Sequence, residues 1–130
     1  MAKRVLLVMQ RKIISDSLIC QSKNDPRFIF TAEEKYSTAV LTAEACSAEI
    51  VVLEIPESGL WSSADKCLSI CDVIRNQLPS CKLMIICCEN DTNTYRAVIH
   101  AKQEQRIDDF LFYDCSINYL LSKLESLSTF

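Results

Sequence analysis

The sequence holds a single glycine, Gly59, in 130 residues. Loops that cradle phosphate with successive backbone N–H groups need several glycines. Both familiar glycine-rich phosphate loops are therefore excluded, and with them a dinucleotide enzyme on a related architecture. There is also a single histidine, His100, inside a stretch predicted to be helical. It reads as a surface or packed helical residue, and no serine sits in a nucleophile elbow. No apolar run approaches the roughly 18 residues of a membrane-spanning helix. The run "VLLVM" is too short for a secretory leader and "QRK" follows it. Basic residues are scattered, with short clusters only at Lys3-Arg4 and Arg11-Lys12, and the net charge is −3. Direct binding to nucleic acid or to an anionic membrane surface is not expected from such a chain.

What is present is an ordinary globular composition, 49% hydrophobic and 24% charged, which a disordered chain would not have. At this length folding buries roughly two-thirds of the unfolded surface, enough for a core without staples. Residues 1–130 read as one domain, with no internal repeat, low-complexity tract or linker. Eight cysteines are many for this length. Several lie inside apolar runs, where cysteine behaves as a small hydrophobe, and no Cys-x-x-Cys occurs. The expectation is a cytoplasmic chain with reduced thiols.

Five short apolar runs alternate with segments of helical spacing. The runs are "RVLLVM" (4–9), "RFIFTA" (27–32), "EIVVLEI" (49–55), "KLMIICC" (82–88) and "DFLFY" (109–113). The first, third and fourth are almost continuously apolar, as strands covered on both faces are. The second sets Phe28 and Phe30 against Ile29 and Thr31, which suits an edge. Between the runs, Ile14 and Leu18 mark a first helix, and Val40, Ala43 and Ser47 a second. Cys67, Leu68, Cys71, Ile74 and Leu78 mark a third, which Pro79 ends, and Val98 and Ile99 begin a fourth. Ile117, Leu120, Leu121, Leu124 and Leu127 make the clearest stripe, with Ser116 as its N-cap. Such alternation predicts an α/β fold: a doubly wound, five-stranded parallel sheet with helices on both faces.

In such sheets ligands bind beyond the carboxyl ends of the strands, at a switch in strand order. The residues there are Met9, Gln10 and Arg11, then Glu54, then Cys87, Cys88 and Glu89, then Tyr113 and Asp114. Element order, length and three phrases make the whole chain resemble the receiver domain of two-component response regulators. "EIVVLEIPESG" is similar to that family's third strand, "LMIICCEND" to its fourth and "IDDFLFYD" to the start of its fifth. The resemblance implies a flavodoxin-like strand order 2-1-3-4-5. It places the family's magnesium-binding acidic pair on Met9 and Gln10, and its phosphate-accepting aspartate on Glu54. Its threonine or serine falls on Cys87, its lysine on Tyr113 and the following proline on Asp114. Its switch aromatic falls on Phe110.

Most of that chemistry is therefore missing. Mg²⁺ wants near-octahedral oxygen ligands, carboxylates among them, whereas Met9 offers a thioether and Gln10 a neutral amide. Phosphoryl transfer needs developing charge neutralised, and neither the acidic pair nor the lysine is there to do it. The resemblance thus implies a degenerate receiver: no enzyme, no metal, no cofactor, and a protein-interaction module that works without phosphorylation. The partner, another protein or a second copy, would meet the face of the fourth helix, fifth strand and fifth helix. Tyr95, Val98, Lys102, Phe110, Phe112 and Asn118 are the residues expected there, some of them in core packing. For Glu54 two readings stand. One is a built-in mimic of a phosphorylated aspartate. The other, preferred, is a partly exposed carboxylate that is solvated or paired with Lys or Arg. Two alternative functions remain: a receiver phosphorylated at an atypical acceptor, Glu54 or Asp114, and a redox or small-molecule sensor if Cys87, Cys88 and Cys115 gather at one end.

Overall fold

The structure is a computed structural model that describes residues 2–128, without the side chain of Ser22. Five strands and five α-helices alternate: β1 (Lys3–Val8), α1 (Lys12–Ser22), β2 (Phe28–Glu33), α2 (Ala39–Ala45), β3 (Ile50–Glu54), α3 (Ala64–Gln77), β4 (Lys82–Cys87), α4 (Thr92–Gln103), β5 (Asp109–Phe112) and α5 (Ile117–Ser128). The sheet order is β2-β1-β3-β4-β5 and every pairing is parallel. β2 is an edge, and its alternation is visible in burial, with Phe28 and Phe30 inside and Ile29 and Thr31 outside.

The pleat sends alternate side chains to two separate cores. Leu6, Val8, Val51, Leu53, Leu83, Ile85 and Cys87 pack beneath α2, α3 and α4. Val5, Leu7, Met9, Ile50, Val52, Met84, Ile86 and Leu111 pack beneath α1 and α5. The central strands are therefore apolar on both faces because both faces are covered. The α3 stripe buries Cys67, Leu68, Cys71 and Ile74, and the α5 stripe buries Leu120, Leu121 and Leu124.

Caps account for the helix ends. Ser63 accepts the Lys66 N–H for α3, and Asp91 accepts the Thr94 N–H for α4. The Ser116 hydroxyl accepts the Tyr119 N–H at the start of α5. α3 stops at Gln77, two residues before Pro79. Ser47, expected inside the second helix, lies beyond it with φ of 52°. Its N–H reaches the Glu44 carbonyl, and the Ala48 N–H reaches the Ala43 carbonyl at 3.0 Å, which closes α2 in a Schellman turn. α4 ends the same way, with Gln105 at φ of 63° and the Arg106 N–H on the Ala101 carbonyl. Gly59 takes φ of 93° in the loop after β3. Among the described residues no helix is long and apolar enough to cross a membrane.

Candidate functional site

β1 and β3 are neighbours, so the loop after β1 lies beside the end of β3. This brings Gln10 and Arg11 to Glu54. Glu54 is 1% exposed, so the expectation of a partly exposed carboxylate is corrected. Burying a carboxylate is costly unless its oxygens are bonded, and here they are. Oε1 accepts the Gln10 N–H at 2.6 Å and the Arg11 N–H at 3.1 Å. Oε2 accepts the Tyr113 hydroxyl at 2.5 Å, and the Arg11 Nε lies 3.4 Å from it. The Tyr36 hydroxyl donates to the Glu54 carbonyl at 2.5 Å.

The bonded groups hold one another. Arg11 also pairs with Glu57 through Nη2, and its guanidinium carbon lies 3.8 Å from the centre of the Tyr113 ring. Tyr113 has one hydroxyl proton facing two acceptors, Glu54 Oε2 and the Ile55 carbonyl at 2.8 Å. The shorter contact to a charged acceptor is the stronger. Burial first, and then the bond to Glu54, push the Tyr113 phenol above its ordinary range. Tyr36 is raised by burial first and then by the Glu54 charge. Trp61, half-buried after Gly59, stacks on Tyr36 with ring centres 5.4 Å apart.

The other predicted positions divide. Met9 is 2% exposed and its thioether packs in the core under α1 and α5, so it does not face the site. Gln10 contributes its backbone N–H. Cys87 is fully buried on the α3–α4 side, where burial pushes its thiol up to about 12. Cys115 packs against the opposite core, so Cys87 and Cys115 do not gather. Cys88 and Glu57 line a cavity of about 230 Å³ with Pro56, Asn90 and Thr94. Asp114 is exposed. His100 is exposed on α4 and pairs with Glu104 at 3.1 Å. Among the described residues, no group of three or more His, Cys, Asp or Glu is placed to hold a metal. The magnesium ion of the family that the chain resembles does not fit here: one of the two positions of its acidic pair holds a core thioether, and the only carboxylate on β3 is already bonded by the chain itself.

On the α4–β5–α5 face, Tyr95, Phe110 and Phe112 form a triangle of rings with centres 5.4 to 6.2 Å apart. Two of the expected members do not belong to it. Val98 is fully buried, because it lies on the stripe of α4 that packs on the sheet. Asn118 lines a hollow with Asn24, Asp25, Arg27 and Leu121 on the other side of α5. The face gains three residues that sequence reasoning missed. Asp109 accepts from Lys102 at 3.1 Å, from Lys123 at 3.0 Å and from the Phe110 N–H at 2.8 Å. Tyr119, half exposed, completes a groove of about 450 Å³ with Phe110, Phe112 and these charges. The four-residue spacing of Tyr119 and Lys123 is the signal that could have found them. Burial pushes the Asp109 carboxyl up, but the Phe110 N–H and the two lysines outweigh it and leave it below its usual range.

No family model matches the chain, and no curated protein matches it. Solved structures do. The chain is similar to a response regulator from Thermotoga maritima, with a TM-score of 0.77, 15% identity and 98% of both chains covered. It is similar to an orphan response regulator of H. pylori, with a TM-score of 0.74, 20% identity, and coverage of 96% of this chain and 95% of that one. The signal receiver domain of a LuxO repressor protein from Vibrio parahaemolyticus aligns with a TM-score of 0.73, 15% identity, and coverage of 98% and 90%. The flavodoxin-like fold of this chain is thus the receiver-domain fold of response regulators.

Proposed function

We propose that the chain is a receiver-fold protein-interaction module that acts without phosphorylation. The observation that carries this reading is the state of Glu54. Its carboxylate is buried and its oxygens are taken by Gln10, Arg11 and Tyr113. A phosphoryl acceptor must present a free oxygen in line with the donor and a cation to neutralise the charge that develops. Glu54 presents neither a free oxygen nor a vacancy for a divalent ion. A partner, another protein or a second copy, would meet the groove between α4, β5 and α5, where aromatic rings stand beside charged groups. Interfaces are enriched in aromatic rings at their centre and carry polar groups at their rim.

Incubation with a small phosphodonor and Mg²⁺, followed by intact mass, tests the reading. No stable gain is expected. A site-specific gain of one phosphoryl group at Glu54 or Asp114 would overturn it.

A further inference from the structure

We propose that the guanidinium of Arg11 stands in for a divalent cation at the end of the sheet, so that the chain neutralises Glu54 itself. The inference rests on the reading of the domain as phosphorylation-independent and adds a residue that makes it so. Arg11 lies three residues past the end of β1 and just before α1, in the loop that faces the end of β3. Its Nε lies 3.4 Å from Glu54 and its Nη2 bonds Glu57, so one group bridges two carboxylates. The Tyr113 ring lies against the guanidinium carbon at 3.8 Å and fixes its height above the sheet.

A surface ion pair would carry little weight, because exposed pairs are worth about 0–1 kcal/mol. This pair differs because the Glu54 side chain is 2% exposed while that of Arg11 is 44% exposed. The carboxylate is fixed inside and the cation reaches it from the solvent side. An arginine carries its charge at every physiological pH and cannot dissociate from the chain. A bound ion comes and goes with its concentration, whereas this charge is constant. Without the guanidinium, Glu54 Oε2 would keep the Tyr113 bond alone and would share its space with the Glu57 carboxylate. Oxygen donors of that kind suit Mg²⁺ and Mn²⁺.

The experiment uses Mn²⁺ binding, read by water-proton relaxation, and the Tm with and without millimolar Mg²⁺. The parent chain should show no saturable Mn²⁺ binding and no shift of Tm with Mg²⁺. Arg11→Ala and Arg11→Gln should each lower Tm in metal-free buffer. Each should gain saturable Mn²⁺ binding that the parent lacks, and recover part of the lost Tm with Mg²⁺. Adding Glu54→Gln to Arg11→Gln should abolish the gain, which places the ion on Glu54. If Arg11→Gln keeps both the Tm and the metal response of the parent, Arg11 is a surface group and the inference falls while the proposed function stands. Saturable Mn²⁺ binding by the parent chain overturns both.

Discussion

Ser47 and Gln105 sit in the left-handed region, at φ of 52° and 63°, where a side chain costs roughly 1–2 kcal/mol. Both close a helix, and glycine would do so without the steric penalty. Part of the gain is offset because glycine loses more freedom on folding. Ser47→Gly and Gln105→Gly should each raise stability by about 0.5–1 kcal/mol, measured as a shift of the urea midpoint at unchanged slope. With one glycine in the chain, no sequence signal marked either turn. Glu54 was half legible in the same sense. The run "IVVLE" placed it at the end of a buried strand. Its burial was not readable, because three of its four partner groups are the backbone N–H of Gln10, the backbone N–H of Arg11 and a phenol 59 residues away. The nearest hint was Tyr113, an O–H donor at the position where the resemblance expects lysine.

At the scale of elements, α5 shows how a helix divides its faces. Leu120, Leu121 and Leu124 go inward, and the sequence stripe gave them correctly. The two outward faces were harder to assign, because helix rotation is fixed by the neighbours rather than by the helix. Glu125 pairs with Arg27 at 2.6 Å in the loop before β2, which puts Asn118 on that side. Lys123 pairs with Asp109, which puts Tyr119 on the groove. The sequence periodicity of α4 named Val98 as core and the resemblance named it as surface; the structure agrees with the periodicity. If the groove joins two copies, Tyr119→Glu and Lys102→Glu should each reduce self-association in sedimentation equilibrium. Asn118→Glu, on the far side of α5, should leave it unchanged. Equal loss from all three variants would remove the groove as the interface.

For the molecule as a whole, the two-sided core was legible because continuous apolar runs mark strands covered on both faces, whereas the strand order came from the resemblance alone. Strand ends are less legible: the apolar run covers 4–9 and the strand spans Lys3–Val8, because a buried Met9 looks like one more strand residue. The charge network sets a window for stability. Asp109, Asp25, Glu33 and Asp91 are held below their usual ranges by N–H, hydroxyl or cationic partners. Their contribution is present above the unfolded value of about 4 and is lost as pH falls below it. Burial raises the thiols of Cys67, Cys71, Cys81 and Cys87, so their contribution is complete below the unfolded value of about 8.5 and is lost as pH rises above it, and Tyr36 and Tyr113, also raised, add a further loss above about pH 10. Denaturant midpoints across pH should form a plateau between these limits, and phenolate absorbance from these two tyrosines should appear only with unfolding. A smooth two-tyrosine titration in the folded chain would contradict the burial described. The stack of Trp61 on Tyr36 gives this chain an optical reporter that needs no label. The only indole in the sequence touches the ring whose hydroxyl holds the Glu54 carbonyl. Loosening of the β3 end should therefore change tryptophan emission before the sheet itself comes apart.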